Sequence, residues 1–136
     1  MNYREKLLQE ISFDQNRVHF LGKLPYTDYL SVLQISSTHV YLTVPSVLSW
    51  SMLEAMTVVC VVIAFNKAPV SEVINGDNGL LVDFFSPSQI AEKVDEVLTK
   101  PEKFALMRQH ARKTVIKNYK VQQSVQQYQH LLESLI

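Results

Sequence analysis

The sequence predicts an α/β sandwich built on a parallel sheet, and three observations carry that prediction. Strand-like runs alternate with helically periodic segments along the whole chain. The run from Cys60 to Phe65 is apolar without interruption, as suits a strand covered on both faces by helices. A length of 136 residues with 47% hydrophobic content suffices to bury a core without disulfides or metals, so residues 1–136 read as a single domain.

The elements follow from local pattern. Residues 2–11 place Tyr3, Leu7, Leu8 and Ile11 on one side of a short amphipathic helix. Arg17-Val18-His19-Phe20-Leu21-Gly22 reads as a short strand closed by glycine. Pro25 opens a helix in which Tyr26, Tyr29, Leu30 and Leu33 recur at helical spacing. Residues 38–44, rich in β-branched and aromatic side chains and stopped by Pro45, predict a strand. A helix over the segment Ser49 to Met56 precedes the apolar strand at 60–65. Residues 66–74 form a loop with one helical turn, and Asn75-Gly76-Asp77-Asn78-Gly79 is turn chemistry before the last strand, Leu80 to Phe84. Ser86-Pro87-Ser88-Gln89 starts a helix with a capping box and a proline at its first position, and Ile90, Val94, Val97 and Leu98 form its apolar stripe. Pro101 opens a longer helix with Phe104, Met107, Ala111 and Val115 on one face, and a glutamine-rich helix over 121–135 ends the chain.

Composition excludes several functions. Thirteen basic and thirteen acidic residues leave no net charge, so no nucleic-acid partner is expected. The three glycines, Gly22, Gly76 and Gly79, permit neither a Walker phosphate loop nor a dinucleotide-binding glycine fingerprint. His19, His39, His110 and His130 are scattered without ligand neighbours at metal spacing, so no metal site is expected, and the strand histidines read as packed or surface residues. Cys60 has no partner for a disulfide and lies in an apolar run, where a thiol behaves as a small hydrophobe. Arg108, Arg112, Lys113, Lys117 and Lys120 cluster on one helix, but its apolar stripe falls between them and leaves a solvated face. The N-terminus lacks the apolar stretch of a signal peptide, and no apolar run approaches the ~20 residues of a membrane-spanning helix. The expectation is a soluble, cytoplasmic protein.

Glu54 is the residue that asks for an explanation. Ser51-Met52-Leu53-Glu54 matches a capping box, so a helix beginning at Ser51 would use the glutamate only as a cap, contributing about 1 kcal/mol. A helix beginning nearer Ser49 would carry Glu54 further inside, among Met52, Leu53, Ala55 and Met56, where a carboxylate needs partners such as ligand hydroxyls. The same junction would turn the backbone N–H groups of Ser49, Trp50, Ser51 and Met52 outward at the positive end of a helix dipole. Phosphate at the helix start and sugar hydroxyls at Glu54 would fit together there, and plain capping is the competing reading.

The order of motifs resembles a known family. "VHFLGKLPYTDYLSVLQIS", "HVYLTVPS", "MLEAM", "VVIAF…PVSEVI", "NGLLVDFFSPSQIAEKVDEVL" and "ARKTVIKNY" are similar, in this order, to the C-terminal domain of retaining group 1 (family 4) glycosyltransferases, from about Arg17 onward. These are two-domain GT-B enzymes, so the resemblance implies a Rossmann-like three-layer sandwich with a parallel sheet, here a partial GT-B C-terminal domain. It implies a nucleotide-diphosphate-sugar as donor substrate, no cofactor, and transfer of a glycosyl group to an acceptor hydroxyl, the chain being incomplete alone. It also implies a missing N-terminal acceptor domain or a partner chain, and it allows peripheral membrane association of the full enzyme.

Residue by residue, the family's signature of two glutamates separated by seven residues falls on Ser46 and Glu54. Glu54 would meet the ribose hydroxyls, while the carboxylate that usually meets the donor hexose is replaced by Ser46. The loop between them is Val47-Leu48-Ser49-Trp50, and the glycine usual after the alanine-methionine pair is Val59. Gly22, Lys23 and Leu24 would lie near the nucleobase. Glu72 corresponds to a common glutamate, with a structural role at the helix start as its alternative. The family's usual strand order, 3-2-1-4-5-6, would leave "VHFLG" two strands away from "HVYLTV". The other readings are a non-catalytic nucleotide-sugar-binding remnant, a sheet-completing subunit, and a plain flavodoxin-like interaction domain.

Overall fold

The computed structural model describes residues 2–43 and 47–135. Seven α-helices and three strands alternate among them: α1 Tyr3–Glu10, α2 Tyr26–Ile35, β1 Thr38–Tyr41, α3 Trp50–Thr57, β2 Val61–Phe65, α4 Val70–Val73, β3 Leu80–Val82, α5 Pro87–Thr99, α6 Ala105–Asn118 and α7 Val121–Glu133, with a 3-10 turn at Pro101–Phe104 before α6. The strands form one parallel sheet in the order β1-β2-β3, with Thr38 opposite Val61 and Ile63 opposite Leu80.

β2 explains the layering. All five of its residues are buried, because helices cover both faces. Alternate side chains of a strand point to opposite faces. Val62 and Ala64 accordingly join the core made with Leu33 of α2, Met52, Ala55 and Met56 of α3, and Ala111 and Val115 of α6. Val61 and Ile63 join a second core with Val82, Val97 of α5 and Phe104. The result is the three-layer sandwich that the uninterrupted apolar run predicts.

The expected strand over residues 17–22 does not form. Val18, Phe20 and Leu21 stay exposed, and Phe20 packs edge-on against Phe13 at 5.9 Å with the Arg4 guanidinium 4.6 Å above its ring. A β-prone run becomes a strand only where a neighbouring strand offers backbone groups, and among the described residues β1 has only β2 beside it. The expected order, which puts two strands between this run and β1, gives the physical reason. β1 and β3 are shorter at their carboxyl ends than the sequence implies, stopping at Tyr41 and Val82, whereas β2 ends at Phe65 as expected.

Two helices also depart from expectation. In α5 the apolar stripe buries Val97 and half-buries Ile90 and Val94, but Leu98 is exposed. In α6, Arg108 and Arg112 are more than a solvated face: Arg112 Nη1 donates to Thr57 O at 2.6 Å and Arg108 Nη2 to Ser37 O at 3.4 Å. A cation on the last carbonyls of α3 offsets the negative end of that helix. No residue of α7 is buried.

The end of α3 carries backbone strain. Val59 has φ of 61°, the left-handed region that β-branched residues avoid. It sits at the turn position of a Schellman closure, with Cys60 N donating to Ala55 O at 3.0 Å and Val59 N to Met56 O at 3.3 Å. The left-handed conformation costs an L-residue ~1–2 kcal/mol, and glycine loses ~0.5–1 kcal/mol more chain entropy on folding. Val59 is 42% exposed, so little packing is lost on truncation. Val59→Gly is therefore expected to raise stability by up to about 1 kcal/mol in urea denaturation. A drop in the midpoint would show that the strain is absent.

Candidate functional site

α3 begins with Ser49 as its N-cap, whose side chain accepts from Ser51 N. The helix therefore starts two residues before the point at which Glu54 could complete a capping box with Ser51. Glu54 stands in the second turn, half-buried, and is not folded onto its own helix start. Its carboxylate Oε1 instead accepts the hydroxyl of Tyr26, the first residue of α2, at 2.9 Å. That hydrogen bond raises the Tyr26 pKa. Tyr29, one turn further along α2, is pushed up to about 12, first by burial and then by Glu54. Its hydroxyl is buried without a hydrogen-bond partner among the described residues. Both phenols thus stay protonated, as donors facing a carboxylate. A carboxylate has roughly four acceptor positions, and Tyr26 takes one, so Glu54 retains capacity for further donors.

The α3 start is tied down from below. Tyr41, at the end of β1, donates its hydroxyl to Val47 O at 3.1 Å and accepts from Ser49 N at 2.9 Å. Ser51 N donates to Ser49 Oγ at 3.3 Å and Met52 N to Ser49 O at 3.3 Å. Of the four amides expected to point outward as an anion cradle, those of Ser49, Ser51 and Met52 are thus engaged inside the protein. The physical reason is the N-cap itself, which satisfies helix-end donors with a side chain wherever one is within reach. The Trp50 amide carries no such bond among the described residues, and the Trp50 side chain is 74% exposed. The Ser49 and Ser51 hydroxyls lie 3.1 Å apart.

The remaining expected site residues divide into three groups. Ser46 lies outside the described residues. Gly22, with φ of 68°, Lys23 and Leu24 form the approach to α2, and so lead directly to Tyr26 and Glu54. Glu72 is in the first turn of α4 and faces a separate depression shared with Asn75, His110 and Lys113, so the fold does not join it to Glu54. Cys60 is buried, and burial pushes its thiol up to about 11, which leaves it unreactive.

Sequence reasoning missed the tyrosines. Tyr26 and Tyr29 read as the apolar stripe of a helix, and nothing local announces that this helix crosses the second turn of another one 28 positions away in sequence. It also missed a cleft of about 990 Å³ at the carboxyl ends of β2 and β3, whose walls include Phe65, Lys67, Asp83 and Phe85. Neither Trp50 nor Glu54 lines it. Among the described residues there is no cluster of potential metal ligands, and no helix is long and apolar enough to cross a membrane.

An open parallel α/β sheet covered by helices on both faces, with a helix start following the carboxyl end of β1, defines the class: the doubly covered sheet, a fold whose ligand crevices lie at the carboxyl edge of the strands. The family model for glycosyl transferases group 1 matches residues 1–114, and the chain belongs to that family. Its fold is similar to the C-terminal domain of a glycosyl transferase group 1 family protein, LpcC, from Francisella tularensis, with a TM-score of 0.65 and 24% identity. That match covers 87% of this chain and 60% of the other, so the chain spans less than two thirds of the length of the structure it resembles. The shared architecture is the Rossmann-like GT-B C-terminal domain, of which the parallel sheet β1-β2-β3 and its flanking helices are present. No curated protein matches the chain.

Proposed function

We propose that this chain is the donor-binding part of a retaining glycosyltransferase, which holds a nucleotide-diphosphate-sugar while the hexosyl group passes to an acceptor hydroxyl. The observation that carries the reading is Glu54: a half-buried carboxylate, clear of its own helix cap and oriented by Tyr26, with acceptor capacity left for vicinal ribose hydroxyls. Family membership supplies the reaction class. The Trp50 amide and the Ser49 and Ser51 hydroxyls offer donors for the diphosphate beside Met52, at the positive end of α3. Ser46 precedes Ser49 closely in sequence and is part of the same proposal, and Gly22, Lys23 and Leu24 would border the base. The contribution is orientation of the donor and stabilisation of the leaving diphosphate's charge, with no acid-base residue assigned. Turnover would require an N-terminal acceptor domain or a partner chain. A cytoplasmic location belongs to this reading.

A second reading, nucleotide binding without turnover, is favoured by one feature of the sequence: Ser46 stands where the family's first signature glutamate is expected. Calorimetric titration with UDP, GDP and ADP tests the shared part. At least one is expected to bind, and Glu54→Gln should weaken it roughly tenfold, the equivalent of one charge-assisted hydrogen bond, with the melting temperature unchanged. Equal affinity in the variant would leave Glu54 as a purely structural partner of Tyr26. Adding the acceptor-domain chain of a homologous enzyme and assaying sugar transfer then separates the two readings.

A further inference from the structure

The cleft at the carboxyl ends of β2 and β3 is built by two loops, and their chemistry differs from that around Glu54. Asn66 N donates to Val82 O at 2.9 Å, which holds the loop after β2 against the end of β3. Behind the cleft the rings of Phe65 and Phe84 meet edge-on at 6.1 Å, and Phe84 meets Phe85 at 4.9 Å. The buried Phe65 thus anchors a chain of rings that ends in Phe85, which is 87% exposed. A large aromatic surface held in water from behind is unfavourable unless something covers it, and a flat apolar face with polar neighbours is what it fits.

Two polar side chains near that ring, Asp83 and Gln89, are also held in place. Asp83 Oδ1 accepts from Phe85 N at 2.9 Å, and Gln89 Oε1 accepts from Asp83 N. These bonds leave the second carboxylate oxygen of Asp83 and the amide NH₂ of Gln89 without partners among the described residues, an acceptor and a donor on two residues that line the same cleft. Lys67 and Asn66 line the same cleft. Lys67 and Asp83 do not form an ion pair with one another. One cation and one carboxylate on the rim leave the cleft without the net positive charge that a phosphate needs. Planar carboxylate and amide groups match adjacent hydroxyls, and an exposed ring matches the CH face of a pyranose.

From this juxtaposition we propose that the Phe85 cleft is a saccharide-binding site, separate from the residues around Glu54, in which a neutral pyranose stacks on Phe85 and hydrogen-bonds to Asp83, Gln89, Asn66 and Lys67. Its volume of about 990 Å³ accommodates one or two sugar rings. The proposal does not depend on nucleotide binding at α3.

Saturation-transfer NMR on the full chain, with the methyl glycosides of glucose, galactose, mannose and N-acetylglucosamine as probes, tests it. At least one glycoside is expected to receive saturation at its ring protons. Phe85→Ala, a change at an exposed ring that leaves the core intact, should weaken that binding roughly tenfold, and Asp83→Asn should weaken it less. Glu54→Gln and added UDP should leave it unchanged. Absence of transfer to all four glycosides overturns the proposal, as does undiminished transfer in Phe85→Ala. Competition by UDP or loss in Glu54→Gln would move the sugar to the α3 site and equally overturn it. Nucleotide affinity, read separately by calorimetry, reports on the donor reading alone.

Discussion

Asn78→Ala is expected to lower the stability of the fold by about 3 kcal/mol, among the largest effects of any single polar substitution here. Asn78 is the one buried polar residue among the described positions, at 3% exposure. Its amide nitrogen donates to Val73 O at 2.8 Å and to Thr114 Oγ1 at 3.2 Å, and its oxygen accepts from Asn75 N at 3.1 Å. Three pieces of chain, the end of α4, the turn before β3 and the middle of α6, are thereby satisfied by one side chain. Truncation would leave the Val73 carbonyl and the Asn75 amide without partners, each costing ~1–3 kcal/mol when buried. Urea denaturation should show the full loss in Asn78→Ala, whereas Thr114→Val, which removes one bond at the margin, should cost about 1 kcal/mol. Equal small effects from both would mean that water replaces Asn78.

Met56→Ala is expected to cost about 3 kcal/mol, within the 2–5 kcal/mol typical of a fully buried methionine. Met56 is completely inaccessible and lies in the core that α3 shares with β2 and α6. The cavity would sit directly under the helix that carries Glu54. On the donor-binding reading proposed above, the variant should therefore lose nucleotide affinity as well as stability, while Met56→Leu, which conserves volume, should cost under about 1.5 kcal/mol and keep affinity. Thermal melting and calorimetry on the same samples check both parts. Unchanged affinity in a destabilised Met56→Ala would mean that the position of Glu54 does not depend on the packing of α3.

The central strand illustrates what is legible from pattern. Val61 to Phe65 could be read as a doubly covered strand because burial on both faces removes the need for alternation, and the structure buries all five residues. Stripes on α5 and α6 were legible for the complementary reason, that a helix buries one side only. The run Val18 to Leu21 was misleading, because β propensity is a local property and strand formation is not. The candidate site was half-legible. Glu54 drew notice as a carboxylate among apolar neighbours, yet whether it capped or projected depended on a helix start displaced by only two residues, from Ser51 to Ser49. Local sequence supports either start, since both serines are good caps.

The amino-acid sequence by itself determined the alternation of strands and helices, the two-faced burial of the central strand and membership of the group 1 glycosyl transferases. Those features depend on side-chain periodicity and motif order, which are written along the chain. Only the tertiary structure decided that Tyr26 reaches Glu54, that Tyr41 and Ser49 occupy the amides at the α3 start, and that Phe85 and Asp83 share a cleft with Lys67. Each of these depends on contacts between segments far apart in sequence, where packing and the competition for hydrogen-bond partners, rather than local propensity, select the outcome.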